Sequence, residues 1–318
     1  MQKRTTKAMT RTQKRILFTV CMLAIPLLQF SIFWVYGNFS SFLLAFQSFQ
    51  PKEGALGYDI SFAGFDNFKE AWRIMFSATG WEMIKNSLIL YACNLIIVTV
   101  FALMFSYYIA KKRFMSGTFR VLLYLPHVVS SLVLAVLYRY LVTDVYMYVA
   151  EFFTGVKPQG GLFDNPDTQY GAVLFYNVWI GFGINVVLYT NAMSGINASL
   201  IEAAQMDGAN ILQEFVYIYF PMIYSTFVTF IVIGLGGLFT NQMNLLGFFG
   251  GTGKNYFNVF GFYLYDGART AQYAKSELSL GQATLSTLSA VGLLITAIIA
   301  PVSLFTRKFL REHGPRVD

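Results

Sequence analysis

Residues 194–221 contain three acids, Glu202, Asp207 and Glu214, and no lysine or arginine. Glu202-Ala203-Ala204 is followed after three residues by Gly208, after nine more by Ile218, and then by Phe220-Pro221. No nucleophile–base pair stands here, so the chemistry on offer is mechanical. Ala203 and Ala204 are small, strong helix formers that let another surface approach the backbone. Glu202 offers a carboxylate for a charge-assisted contact or for its own helix cap. Gly208 allows a sharp turn without a Cβ penalty. Ile196, Leu200, Ala203 and Ala204 fall on one face of a short helix. Asn197 or Ser199 can cap its first turn, with Glu202 at capping-box distance from Ser199. A second helix is expected from Asn210, with Pro221 near its entry into the apolar stretch that follows.

A second set of polar residues sits inside long apolar runs. Asn177, Gly181, Asn185 and Tyr189 recur every four residues. Gly237, Asn241, Asn244 and Phe248 are expected on one face at the end of a later run. Amides with an aromatic platform suit a hydroxyl-rich ligand, but Asn and Gly also serve helix packing. Both readings stand at this point. Gly234, Gly236 and Gly237 suggest a loosened helix or a close helix contact. His127, beside Pro126 and close to Ser130-Ser131, reads as a satisfied interfacial histidine rather than a catalytic group. Arg139 and the basic residues outside the runs would suit an acidic ligand. The nearest approach to a phosphate-cradling loop, Gly250-Gly251-Thr252-Gly253-Lys254-Asn255, misplaces the first glycine and has Asn255 where the magnesium-binding hydroxyl belongs. No metal or cofactor is therefore expected on this chain.

The elements that position these residues follow from composition. Of 318 residues, 56% are hydrophobic and only 12% charged, about half the charge of a soluble domain. Two histidines, and two cysteines far apart in apolar runs (Cys21 and Cys93), make a metal centre or a disulfide scaffold improbable. The apolar runs are too long for barrel strands. The expected fold is an all-α polytopic membrane protein with six spans, at about 16–39, 84–110, 121–142, 171–193, 220–239 and 280–305. Residues 1–15 and 307–318 form basic tails, and 194–219 connects spans four and five. The first run is too long for a cleaved signal peptide, and no small-residue cleavage site follows it. The longer connections, 40–83, 143–170 and 248–279, are expected to form short surface helices and loops.

Orientation comes from lysine and arginine. Lys3, Arg4, Lys7, Arg11, Lys14 and Arg15 precede the first span. Lys111, Lys112, Arg113 and Arg120 lie between the second and third. Arg307, Lys308, Arg311 and Arg316 follow the sixth. These are most of the 23 basic residues, and six spans place them on one side, with both termini cytoplasmic. The net charge of +7 is thus a topology signal rather than a nucleic-acid footprint.

The spaced pattern from Glu202 to Pro221 resembles the EAA loop of the permeases of binding-protein-dependent ABC importers: EAA, three residues, G, nine residues, I, one residue, LP. The departure is Phe220 where leucine is usual. Met206-Asp207-Gly208-Ala209 also resembles the family's DGA segment. The likeness extends over the six-span core and is strongest from Leu174 to Met222, in the manner of the maltose, glycerol-phosphate and complex-glycan permeases. It implies a type I importer fold in a bacterial or archaeal cytoplasmic membrane. It implies a second homologous permease, two ATPase subunits carrying ATP and magnesium, and an extracytoplasmic solute-binding protein. It assigns ATPase coupling to Glu202, Ala203, Ala204, Asp207, Gly208, Ile218 and Pro221. The candidate pathway residues are Asn177, Asn185, Tyr189, Gly237, Asn241, Asn244 and Phe248. A secondary carrier is the alternative, but it needs an ion site, and no acid lies mid-span. An intramembrane enzyme would have only His127 with Ser130-Ser131.

Overall fold

In a bilayer every backbone amide must be satisfied within the protein, which leaves long apolar runs the choice of helix or closed barrel. Here the runs are helical. The computed structural model describes residues 10–51, 58–250, 255–273 and 278–315. The basic residues before Thr10, residues 251–254 of the rejected phosphate-loop candidate, and Arg316 lie outside the described residues. The chain divides into two compact units, residues 1–71 with 270–293 and residues 72–269 with 294–318.

Helix α1 (Arg11–Leu44) opens with a reciprocal cap between Thr10 and Gln13. Its apolar side chains point outward, as a lipid-facing helix requires. An antiparallel hairpin follows, β1 (Gln47–Pro51) and β2 (Tyr58–Phe62), with Phe49 opposite Ile60. This departs from the helices and loops expected of residues 40–83. Its cause is local: apolar and polar residues alternate through Tyr58-Asp59-Ile60-Ser61-Phe62, the two-residue period of a strand. The Asn67 amide donates to the carbonyls of Ala45 and Gln47, both at 2.9 Å, and fixes the start of the hairpin. Helix α2 covers Asp66–Met75.

Helix α3 (Ala78–Ala110) starts at Ser77, whose hydroxyl accepts from the Gly80 amide, and contains a π turn at Asn94–Val98. Then come α4 (Ser116–Val128), α5 (Ser131–Thr154), α6 (Pro166–Ser194) and α7 (Ala198–Met206). They are followed by α8 (Ile211–Gly237), α9 (Leu245–Phe249), α10 (Phe260–Tyr273) and α11 (Leu278–His313). Among the described residues, six helices are long and apolar enough to cross a membrane: α1, α3, α5, α6, α8 and residues Thr284–His313 of α11.

Two expected spans need correction. Residues 121–142 are not one helix. Val129 and Ser130 are extended between α4 and α5, with ψ of 142° and 130°. Pro126 lies one turn before the break and cannot donate to the helical ladder. The fifth span begins earlier than residue 220, because Pro221 is absorbed by a π turn at Phe215–Tyr219, and it ends at Gly237. Lacking an N–H, Pro221 leaves a carbonyl of the preceding turn unpaired, and a wider turn with a Phe220 N–H to Phe215 bond accommodates the change.

Between helices in lipid, close packing and hydrogen bonds do the work that hydrophobic burial does in water. The Ser106 hydroxyl of α3 donates to the Val186 carbonyl of α6 at 2.8 Å. Gly183 of α6 brings its backbone against the Leu123 carbonyl of α4, where a Cβ would collide. One buried cluster gathers Ala102, Tyr107, Tyr189, Tyr219 and Ile223, at the end where α3 finishes and α8 begins. A second gathers Tyr138, Phe163, Tyr176, Phe248 and Phe249.

Candidate functional site

The connection between α6 and α8 folds as two capped helices. Asn197 caps α7 by accepting from the Ser199 amide at 3.0 Å. Ser199 is thus inside the helix, and its expected capping box with Glu202 is not the one used. At the other end, the Gly208 N–H bonds to the Gln205 carbonyl and the Ala209 N–H to the Ala204 carbonyl. This pair of bonds is the Schellman stop, with Gly208 at φ +80°. Asn210 then caps α8 through a reciprocal bond with Gln213.

The inward face of α7 runs through Ile201 and Ala204, with Ile201 packed on the cluster around Tyr219. Leu200 and Ala203, expected on the same face as Ala204, point outward instead. They stand with exposed Glu202, Asp207 and Gly208. Met206 is 88% exposed and Leu212 71%, and Ile211 and Tyr217 are also open. An exposed apolar patch rimmed by acids suits contact with another protein or with the membrane surface. Ile218 and Pro221 are half-buried in and after the π turn.

Beneath α7 lies a group that sequence reading did not assemble. Glu214 is almost wholly buried, and its Oε1 pairs with Lys111 Nζ at 2.5 Å, at the end of α3. Its Oε2 accepts from the Gln205 amide of α7 at 3.4 Å. The Tyr107 hydroxyl donates to the Ile211 carbonyl at 3.3 Å, and its ring lies edge-on to Phe215 and Tyr219. Lys111 and Glu214 are 103 positions apart, so no local periodicity joins them. The only signal was an acid in a segment without bases.

The candidate pathway residues divide. A cavity of about 270 Å³ lies between α3, α6 and α8, and Asn185, Gly237 and Asn241 are on its wall with Ser87, Tyr91 and Asn94. The Asn185 and Asn94 amides donate to Gly181 and Leu90 carbonyls, which leaves their Oδ1 atoms toward other partners. Asn241 Oδ1 accepts from the Met243 amide. The Ser87 hydroxyl is buried with no hydrogen-bond partner among the described residues. Gly234 makes room for the Tyr91 ring: an added Cβ would sit 3.0 Å from it. No charged group is among the lining residues.

Tyr189 and Phe248 are instead packed in the two cores, at 1% and 0% exposure. Asn177 spends its amide on the carbonyls of Val173 and Met243. Asn244 is in the left-handed region, at φ +56°, before α9. The expectation that Gly237, Asn241, Asn244 and Phe248 share a helical face fails because α8 ends at Gly237. Arg139 donates to the Phe248 carbonyl at 2.9 Å, which makes it a support for α9. His127, expected to be satisfied, has its Nε2 without a partner among the described residues and meets Tyr124 edge-on. No cluster of His, Cys, Asp and Glu able to hold a metal occurs among the described residues.

The family described as "Binding-protein-dependent transport system inner membrane component" matches residues 99–317. The probable permease AmyD of a starch degradation products transport system in Thermoanaerobacterium thermosulfurigenes is 26% identical over 67% of this chain and 70% of its own. The permease YteP of a polygalacturonan/rhamnogalacturonan transport system in Bacillus subtilis is 26% identical over 80% of this chain and 78% of its own. Among solved structures, a chain of a bacterial ABC transporter involved in import of the acidic polysaccharide alginate superposes with a TM-score of 0.70. That match is at 22% identity and covers 95% of this chain and 97% of the other.

Proposed function

The chain belongs to the family of binding-protein-dependent transport system inner membrane components, and we propose that within it this permease forms half of the import pathway for a carbohydrate. It is a multi-pass membrane protein and a transport subunit, not the catalyst. On this reading both termini and the α6–α8 connection face the cytoplasm. Two separate ATPase subunits bind ATP and magnesium there, a second homologous permease completes the pathway, and an extracytoplasmic binding protein delivers the solute.

The observation that carries the reading is the surface of α7. A helix fixed at both ends by Asn197 and Gly208 presents Glu202, Ala203 and Met206 outward. A rigid peg with apolar and acidic groups suits a groove in a soluble partner. Closure of the ATPases on ATP pushes α7, and the spans rock toward the binding protein. Solute then enters a path to which this chain contributes the wall with Ser87, Tyr91, Asn94, Asn185 and Asn241. Amide and hydroxyl groups replace the water that a polyhydroxyl solute loses, and Tyr91 offers an aromatic edge. The names of the relatives AmyD and YteP support a poly- or oligosaccharide cargo.

The test is purification through a tag on this chain after co-expression with its genomic neighbours. The expected complex contains a second permease and an ATPase, and in liposomes it imports sugar only with binding protein and ATP. The chain purified alone should hydrolyse no ATP. Uptake driven by this chain alone on an ion gradient would overturn the reading in favour of a secondary carrier.

A further inference from the structure

Lys111, Glu214 and Gln205 join three elements at one point, where the two charged side chains are buried and Gln205, itself exposed on α7, reaches Glu214 with its amide. Lys111 is the first residue after α3, Glu214 is in the first turn of α8, and Gln205 is in the last turn of α7. The two charged side chains are 13% and 4% exposed. Burying such a pair costs more in desolvation than a well-packed apolar pair would, so the pair contributes little to folding that leucines could not. What it does supply is a fixed register between segments, because removing one partner strands a buried charge. The surroundings reinforce that register. Only residues 207–210 separate α7 from α8, and they are held by the Schellman stop and the Asn210 cap. The Tyr107 hydroxyl ties α3 to the Ile211 carbonyl, and the Tyr107 ring packs on Phe215 and Tyr219.

We propose that Lys111, Glu214 and Gln205 form the joint that makes α7, the end of α3 and the start of α8 move as one body. They are positioning residues: none lines the cavity. A push on the outer face of α7 then reaches α3 and α8 without slack, and α3 and α8 are two of the three helices that wall the cavity. The inference rests on α7 being the ATPase contact, and its failure is distinguishable from failure of that reading. If the wild-type complex lacks an ATPase, the functional reading falls. If the wild-type complex works but the variants below behave otherwise than stated, only the joint falls.

The experiment uses the whole transporter in liposomes, in a background without Cys21 and Cys93. Glu214→Gln should lower uptake by about tenfold, one kcal-scale contact's worth, and raise the ATP hydrolysed per solute imported. Exchanging the charges, Lys111→Glu with Glu214→Lys, should restore most of both. The pair Lys111→Cys with Glu214→Cys should be impaired like Glu214→Gln, and a short bifunctional thiol reagent joining the two should recover uptake. Should the buried variants fail to assemble, Gln205→Leu leaves the ion pair intact. It should still raise the ATP-to-solute ratio by roughly twofold, the loss expected of one weak hydrogen bond. The joint is overturned if the cross-link abolishes uptake, which would mean that α3 and α8 must separate there. It is equally overturned if Glu214→Gln or Gln205→Leu leaves the ratio unchanged.

Discussion

The polar residues around α7 and those around the cavity are built on opposite plans. At the α7 end, Glu214 is paired with Lys111 and Gln205, and both helix ends are capped. At the cavity, Asn94, Asn185 and Asn241 each use one side of the amide, and Ser87 has no partner among the described residues. A satisfied buried network is stiff, and a half-satisfied one is costly until something completes it. The first plan suits a part that transmits displacement. The second suits a part that receives hydroxyl groups in transit.

Substitutions can break or sharpen this contrast. The largest effect is expected from a residue in neither plan. Phe248 is fully buried among Tyr138, Phe163 and Tyr176, and Phe248→Ala should remove about 3–5 kcal/mol of stability. The readout is the thermal unfolding of the purified complex. A variant of normal stability with altered sugar preference would return Phe248 to the pathway. Next is Gly208→Val, which places a β-branched residue at φ +80°. The left-handed region costs ordinary residues roughly 1–2 kcal/mol and β-branched residues more. Uptake should fall by about tenfold or more, while the amount in the membrane holds. Normal transport with this variant would mean that the Schellman stop is dispensable.

A smaller effect belongs to the cavity. Asn185→Ala or Asn241→Ala should slow uptake about fivefold, for loss of one solute hydrogen bond, with binding-protein affinity untouched. Cysteine at 241 should react with a water-soluble thiol reagent, and cysteine at 189 should not. Equal reactivity at the two positions would erase the distinction drawn between cavity and core. The smallest effect is Gly234→Ala. Its methyl would press on the Tyr91 ring, which can yield by a few tenths of an ångström. About a twofold change in uptake is expected, and a larger loss would make Gly234 part of the moving path.

The same contrast explains what the sequence disclosed. The stop at Gly208, the start at Asn210 and the number of spans are encoded locally, by a cap, a turn residue and a run of apolar side chains. They were legible for that reason. The hairpin at Gln47–Phe62 also carried its period, but the helical expectation for the outer connections hid it. The fifth-span part of the pathway set, Asn244 and Phe248, was misread because it assumed that α8 continued past Gly237, whereas Asn177 and Tyr189 on α6 are taken up by packing. Three glycines and the turn at 238–240 end the helix there, and the three- and four-residue spacing from Gly237 to Phe248 loses its meaning. The joint at Glu214 was invisible for another reason. Its partner lies 103 positions away, and only the fold brings a lysine read as a topology marker against an acid read as part of a loop.

The central claim is that the outer face of α7 is where an ATPase subunit docks. Ala203 is exposed on that face, and Phe152 is exposed near the end of α5. Each is changed to cysteine in turn, Ala203→Cys and Phe152→Cys, in the assembled transporter lacking Cys21 and Cys93. A short thiol-to-amine cross-linker is then applied. The account predicts an adduct between this chain and the ATPase from position 203, varying with nucleotide, and none from position 152. No adduct at 203, together with one at 152, would place the motor on the opposite side of the membrane and contradict the account.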